Sequence, residues 1–325
     1  MSDPAPSSAA PWRVVVEGAD LGFDQQPGDT VLRAALRAGL GMPYECNSGG
    51  CGSCRIQVVD GDVTDLWPDA PGRSERDRRG GRLLACQVSA SSDLTVRCRV
   101  YDDYIPVHRP QRVAARVIEL SAVTHDMRRI RLRTDGPARF SPGQYLSVFL
   151  PGVTGARNYS MANLANDEGD WELIVRRVPG GHATGMLFDQ VACGDSIEID
   201  GPYGLATLRT DNDRAIACVA GGSGLAPMLS IARGAAAAGL LADRDLHFFY
   251  GARTPGDVCG AAELGAIDTP ADRVHFHPVV SVPAAEHAQQ WNGATGFVHE
   301  AAIGALSGDL AGFEWYCAGP PPMTQ

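Results

Sequence analysis

The chain contains no lysine; all 28 of its basic residues are arginine. That excludes a Schiff-base lysine and a Walker-type phosphate lysine. No apolar run reaches the ~18 residues needed to cross a bilayer. The opening MSDPAPSSAAPW has neither a basic n-region nor an apolar h-region, so it reads as a Ser/Pro/Ala-rich lead-in and not a secretory signal. A cytoplasmic, membrane-free location follows as an expectation. A net charge of −10 over 325 residues argues against nucleic acid as a partner. Apolar residues make up 44% of the chain, enough for two or three domains with buried cores. No Ser-His-Asp set or paired carboxylates stand out.

What the chain does have is cysteine in an odd arrangement. There are nine, an odd number, in a sequence with no sign of export. A disulfide framework is therefore disfavoured, and metal or redox use is favoured. Three fall within PYECNSGGCGSC (residues 43–54): Cys46, Cys51 and Cys54. A fourth, Cys86, follows in RLLACQ. The spacing C-x4-C-x2-C-x31-C is the plant-type pattern for a [2Fe–2S] cluster. Three thiolates on one tight loop reach two irons from one side, and the distant fourth closes the site. Gly49, Gly50 and Gly52 permit positive φ, so backbone N–H groups can turn toward the sulfurs. A four-cysteine zinc site is the competing reading, but Cys86 lacks a partner at C-x2-C spacing. Cys98, Cys193, Cys218 and Cys259 have no ligand spacing and read as small buried hydrophobes.

Around these cysteines the pattern is that of a small α+β module over residues 12–102. WRVVVEG reads as a strand. DTVLRAALRAGL reads as a helix with Asp29 or Thr30 as N-cap and Gly41 near its stop. RIQVVDGDV reads as strand–turn–strand and LTVRCRV (94–100) as a closing strand. Residues 1–11 form the lead-in and 103–110 a proline-bearing linker.

Residues 111–209 change to short strands separated by turns, namely RVAARVIEL, MRRIRLRT, QYLSVFLP and WELIVRRV, which predicts a small antiparallel barrel. ARNYSMAN carries an R-x-Y-S unit. Arg157 offers a guanidinium for a pyrophosphate, Tyr159 an aromatic face and Ser160 a hydroxyl for a ring nitrogen. In VRRVPGGHATGMLFD, Val175 and Arg176 end a strand. Gly180 and Gly181 then open a helix near Thr184, a ready anion site. GPYG (201–204) reads as a tight turn.

Residues 210–325 alternate strand and helix, which predicts a parallel sheet with ligands at the strand C-terminal ends. In RAIACVAGGSGLAPMLSIARGAAAAGL, Gly221, Gly222 and Gly224 keep side chains clear of a pyrophosphate, and the helix begins at Ala226. DLHFFYGAR, VHFHPVV and EWYCAGPPPM read as further strands. Arg253, Cys317 and Gly319 lie at strand ends and join the candidate nucleotide residues. The region has 5 arginines against 12 carboxylates, a balance of −7 that disfavours a 2′-phosphate, so NADH is expected over NADPH. His108, His182, His247, His275 and His277 show no metal spacing and read as surface or packing residues.

Together these motifs resemble the ferredoxin-type reductases of bacterial oxygenases. The resemblance implies a multidomain chain: a plant-type [2Fe–2S] ferredoxin of β-grasp type, an FAD-binding antiparallel β-barrel and an α/β NAD-binding domain. DLWPDAP (65–71), LACQ, AGGSGLAPM, TGFVHE and YCAGPPPM look most like reductases of toluene-type soluble diiron monooxygenases, which act in aromatic hydrocarbon catabolism. THDMRRI, FSPGQY and VPGGHAT are also similar to reductases of naphthalene-type Rieske dioxygenases.

The resemblance implies that Cys46, Cys51, Cys54 and Cys86 hold the cluster. It places FAD at Arg157, Tyr159, Ser160, Gly181 and Thr184, and the nicotinamide near Gly222, Gly224 and Cys317, so that Tyr159, Ser160 and Cys317 border the reacting groups. Electrons would then run from NADH through FAD and the cluster to a diiron hydroxylase component or its Rieske ferredoxin, the reductase itself being a monomer. A Rieske dioxygenase reductase and a ferredoxin-like carrier without active flavin are the alternatives. The family continues past the GPP turn with a helix and a last strand, whereas this sequence stops at Gln325, so a short nucleotide domain is expected.

Overall fold

The computed structural model describes residues 10–270, 272–281, 291–320 and 323. Residues 1–9 of the expected lead-in, and Pro321 and Pro322 of the AGPPPM turn, lie outside them. The chain forms two compact units. One runs to Arg112 and takes in Asp200–Leu205; the other holds Val113–Ile199 and everything from Ala206 on.

The first unit is a five-stranded sheet crossed by one helix. Its elements are β1 (Trp12–Val16), β2 (Gly22–Gln25), α1 (Val31–Arg37), β3 (Arg55–Asp60), β4 (Val63–Asp65), α2 (Glu75–Arg79), β5 (Arg82–Leu84), β6 (Val88–Ala90) and β7 (Leu94–Arg97). The sheet order is β2-β1-β7-β3-β5, with β1 and β7 parallel and the other pairs antiparallel. Thr30 caps α1, its hydroxyl accepting from the Arg33 N–H. The helix ends at Arg37 with Ala38 as its cap, and the left-handed turn that stops it falls on Gly39 (φ 86°), two residues before the expected Gly41, letting Leu40 N–H reach the Ala35 carbonyl. Val31, Leu32, Ala35 and Leu36 are fully buried beneath it. RIQVVDGDV is strand–turn–strand as expected, with β3 in the sheet and β4 paired with β6 in a separate two-stranded ribbon. The closing strand stops at Arg97 instead of residue 100.

A six-stranded sheet follows, with β8 (Gln111–Ala122), β9 (Met127–Arg133), β10 (Tyr145–Phe149), β11 (Arg157–Ser160), β12 (Asp170–Arg176) and, after helix α3 (His182–Asp189), β13 (Ser196–Tyr203), whose last four residues fall in the first unit. Their order is β11-β10-β13-β8-β9-β12. A bridge between Met161 and Leu173 joins the two ends, so the sheet closes into a barrel around Ile130, Leu132, Leu146, Leu173 and Ile199. GPYG is not a free turn: Gly201, Pro202 and Tyr203 finish β13 and are buried, and only Gly204 (φ 103°) turns the chain.

The rest of the second unit is a parallel sheet ordered β17-β16-β15-β14-β18. It comprises β14 (Ala215–Gly221), α4 (Leu225–Ala237), β15 (Leu246–Ala252), α5 (Ala261–Gly265), β16 (Val274–Val280), β17 (Ala294–Thr295), α6 (Val298–Ala305) and β18 (Phe313–Ala318). β14, AIACVAG, is a near-continuous apolar run because both of its faces are covered. Polar contacts tie α4 to the barrel: Ser230 Oγ donates to the Asn163 carbonyl at 2.9 Å and Arg233 to the Ala162 carbonyl at 2.7 Å. Among the described residues, no helix is long and apolar enough to cross a membrane.

Phe248, 0% exposed on the central strand β15, anchors this sheet. Phe248→Ala should cost about 3–5 kcal/mol. Chemical denaturation followed by far-ultraviolet dichroism measures it, and a loss below 1 kcal/mol, on the order of a surface change, would contradict that role.

Candidate functional site

The cysteine loop lies between α1 and β3 and is built on backbone that only small or turn-forming residues tolerate. Asn47 (φ 48°), Gly49 (φ 81°) and Gly52 (φ 78°) are left-handed. A Cβ on Gly52 would fall 2.3 Å from the Gly72 carbonyl oxygen, and one on Gly72 would fall 2.5 Å from the Gly52 nitrogen. The Gly72 N–H closes this contact by donating to the Gly49 carbonyl at 2.9 Å. DLWPDAP is thus the strap that clamps the ligand loop: Trp67 and Ala70 sit over Gly49, and the Leu66 N–H bonds the Gln87 carbonyl beside Cys86.

The four predicted cysteines are brought together, and they pair. Cys46 hydrogen-bonds with Cys51, and Cys54 with Cys86. These bonds hold Cys46 and Cys86 below the usual thiol range, whereas Cys86 and burial push Cys54 up. Backbone N–H groups point at the sulfurs as the loop geometry predicts: Ser48 and Cys51 to Cys46 Sγ, both at 3.4 Å, and Ser53 to Cys51 Sγ at 3.5 Å. Gln87 Nε2 approaches Cys86 Sγ at 3.6 Å. Two sulfur pairs ringed by N–H donors suit a two-iron cluster, whereas one zinc ion would gather all four sulfurs around a single point. Of the remaining thiols, Cys218 is buried as expected, Cys98 and Cys259 are half-buried, and Cys193 is exposed, contrary to its reading as a buried hydrophobe.

A second site opens between the barrel and the parallel sheet of the second unit, a cavity of about 630 Å³. Its walls include Arg157, Tyr159 and Ser160 from β11, Gly181 and Thr184 at the head of α3, and Gly222, Gly224 and Gly319 from the sheet loops. Tyr159 is half-buried, and burial pushes its phenol up to about 12, so it remains a neutral aromatic face. Arg157 stays at the rim, donating to the carbonyls of Thr154, Gly155 and Ala156 at 3.1–3.3 Å. Thr184 Oγ1 accepts from the Val178 N–H at 3.1 Å and so braces the glycine turn from inside. Val175 puts its side chain in the barrel core, and Gly180 (φ 70°) shapes the turn without lining the cavity. An aromatic wall, a rim cation and a helix head behind glycines fit a flavin dinucleotide.

Beside it lies a third cavity of about 480 Å³ that shares Arg176, Gly221, Gly222 and Pro320 with the second. It adds Tyr250 and Arg253 from the end of β15, Phe297, His299 and Glu300 at the head of α6, and Asp126 from the β8–β9 turn. Arg176 is fixed there by Asp126, Nε to Oδ2 at 2.7 Å. Gly224 is indispensable to this junction, since a Cβ there would fall 2.0 Å from the Ala318 carbonyl oxygen. The helix that follows begins at Leu225, one residue before the expected Ala226. Cys317 is exposed on β18 and lines neither cavity. Asp126, Phe297, His299 and Glu300 had no assigned role in the sequence reading, although THDMRRI and TGFVHE both stood out there.

Comparison with known proteins matches residues 14–91 to a 2Fe-2S iron-sulfur cluster binding domain, 114–207 to an oxidoreductase FAD-binding domain and 218–325 to an oxidoreductase NAD-binding domain. The ferredoxin–NAD(P)(+) reductase CarAd of Metapseudomonas resinovorans is 44% identical over 91% of this chain and 88% of its own length. The chain belongs to the ferredoxin–NAD(P)+ reductase components of oxygenase systems. The ferredoxin–NAD(+) reductase component of the alkene monooxygenase system of Xanthobacter autotrophicus is 46% identical, covering 93% of this chain and 90% of its own. The solved ferredoxin reductase in carbazole 1,9a-dioxygenase superposes with a TM-score of 0.87 at 37% identity, covering 97% of this chain and 92% of that one. The reductase is accordingly an oxidoreductase that uses a [2Fe–2S] cluster, FAD and a nicotinamide nucleotide.

Gly52→Ala should cut iron and acid-labile sulfide per chain by about tenfold, because its Cβ meets backbone and its φ is left-handed. Gly50→Ala, whose Cβ would meet only Cys46 Sγ at 3.9 Å, should retain both. Equal cluster content in the two proteins would contradict the strap geometry.

Proposed function

We propose that this reductase takes electrons from NADH and delivers them singly, through a cluster held by Cys46, Cys51, Cys54 and Cys86, to the oxygenase component of a soluble diiron hydrocarbon monooxygenase. The observation that carries the entry half is the shared wall of the two cavities. A nucleotide seated among Arg253, Phe297 and Glu300 has Gly221 and Gly222 between it and the cavity bordered by Tyr159 and Ser160. Bound there, FAD supplies the exchange between paired electrons from a nicotinamide and single electrons for an iron–sulfur centre. The chain's own part is positioning. Tyr159 offers an aromatic wall, Ser160 a hydroxyl, and the glycine loops keep side chains out of the junction. Arg157, Arg176, Gly181, Thr184, Gly222, Gly224 and Gly319 make up the flavin surroundings, and Arg176, Gly222 and Arg253 those of the nicotinamide nucleotide, whereas Val175, Gly180 and Cys317 stand outside both cavities.

The carboxylates around the nucleotide cavity, Asp126, Asp257 and Glu300, favour NADH. Of the two arginines there, Arg176 is already neutralised by Asp126, which leaves little to attract a 2′-phosphate. The choice of a diiron partner rests on DLWPDAP and on the alkene monooxygenase relative. Domains over residues 12–102, 111–209 and 210–325, a cytoplasmic monomer, and a diiron hydroxylase or its Rieske ferredoxin as the receiving protein complete the reading. A Rieske ring dioxygenase is the second reading, favoured by the likeness to the carbazole 1,9a-dioxygenase reductase.

Cys51→Ser should lower NADH-driven reduction of cytochrome c by about a hundredfold while sparing NADH–ferricyanide turnover. Equal survival of both activities would overturn the electron order. Wild-type kcat/KM for NADH should exceed that for NADPH by at least about tenfold, a difference of roughly 1.4 kcal/mol. Reconstitution with purified diiron and Rieske oxygenases separates the two partner readings by which one hydroxylates at the expense of NADH.

A further inference from the structure

The sheet register assembles a cluster that no sequence spacing revealed. β15 and β16 run parallel, with His247 opposite His275 and Phe249 opposite His277. Alternation along a strand puts His247 and Phe249 on one face, together with His275 and His277. Asp245, two residues before His247, shares that side. The imidazoles stack, with 4.5 Å between the His247 and His275 ring centroids and 5.3 Å between those of His247 and His277. Phe249 stacks on His277 at 4.4 Å and Phe313 meets His247 edge-on at 5.5 Å, so the rings are held by packing. The five histidines that read as isolated surface or packing residues therefore include three that are joined.

We propose that Asp245, His247 and His275 form a binding site for a divalent transition-metal ion of the zinc class, with His277 as the outer partner that orients His247. The ligand atoms of the three all lie within 4.8 Å of one another. Bonds of roughly 2.1 Å to one ion set neighbouring ligand atoms about 3.4 Å apart, so small side-chain rotations bring the three into register. His247 Nδ1 is engaged by His277 Nε2 at 3.1 Å. That leaves His247 Nε2 for a metal, and an imidazole whose other nitrogen is hydrogen-bonded is the usual ligating arrangement. Two nitrogens and one carboxylate select zinc, nickel or copper over magnesium or calcium, which prefer all-oxygen shells. Arg273 holds Asp245 Oδ1 at 3.1 Å, and His275 Nε2 stands 3.8 Å from that oxygen, leaving Oδ2 for the ion.

The site is distinct from the nucleotide cavity. That cavity is lined by residues 250–253 of β15 and its following loop. His247 lies toward the other end of the strand, roughly 10 Å from Tyr250 at about 3.3 Å per residue. Metal would pin β15 to β16 and stabilise the sheet without touching the redox groups. A second cluster, His125, Asp126 and Asp257, supports no such reading, because Asp126 is already committed to Arg176 and Thr124 at the cavity mouth.

The test uses untagged, cluster- and flavin-loaded protein stripped of loose metal on chelating resin. Zn2+ is titrated against a chromophoric chelator, and the melting temperature is followed with and without Zn2+. We expect one equivalent bound with a Kd near or below about 10 μM and a raised melting temperature. His247→Gln and His275→Gln should each weaken binding by at least about tenfold and abolish the thermal shift. NADH–ferricyanide turnover and flavin absorption show that each variant is folded. If one variant fails to fold, the other decides. Absence of saturable binding in the wild type, or undiminished binding in a folded variant, would overturn the site.

Discussion

The second unit depends on one close approach of backbone to backbone. The Ala318 carbonyl at the end of β18 occupies the space that a Cβ on Gly224 would need, only 2.0 Å from that position. β14 and β18 are parallel neighbours, paired through Ala220 and Ala318, so their outgoing loops leave side by side. Both loops must pass the same point, and only an absent side chain lets them. Gly221 and Gly222, with Arg176 and Pro320, form the wall that the two cavities share. The demand for a small residue at Gly224 is therefore steric.

The cysteine loop solves a similar problem with the same means. A cluster buried under side chains would lose its N–H donors, and a loop free of restraint would not hold three sulfurs in place. Gly52 and Gly72 meet at backbone distance, and DLWPDAP is drawn over Gly49. The strap fixes the ligand loop while leaving its N–H groups pointed at sulfur. Cys51 stays exposed and Cys54 and Cys86 buried, so the paired thiols run from the surface of the ferredoxin unit into its interior. This asymmetry suits a centre that must be both protected and reachable.

How much of this was legible in the sequence follows from where the information resides. The four cysteines, the R-x-Y-S strand, the glycine turn at Gly181 and the loop at Gly222 and Gly224 are local patterns, and each is where its spacing put it. The architecture was equally legible, because strand–helix alternation and short barrel strands are one-dimensional signals. The rest lies where a partner strand decides. RIQVVDGDV reads and folds as strand–turn–strand, but that its second strand, β4, leaves the sheet to pair with β6 is dictated only by the tertiary register. GPYG has turn composition, yet its first three residues complete β13, a strand with neighbours on both sides, and only Gly204 turns. Cys193 was assigned to the interior by residue type alone, and it lies outside.

The histidines of the parallel sheet show the same limit most sharply. His247 and His275 are 28 positions apart, and no metal-ligand template spans such a gap. Parallel pairing nonetheless sets them opposite each other, and strand alternation sets His277 and Asp245 on the same face. Sliding β16 by one residue against β15 would turn His275 and His277 to the opposite face and dissolve the cluster. The register itself is fixed elsewhere, by Phe248 and Phe276 packing on the other face. The alignment that builds the redox entry site thus also determines which polar side chains meet at the far end of the same strands. A site assembled in this way carries no sequence motif and is visible only once the strands are paired.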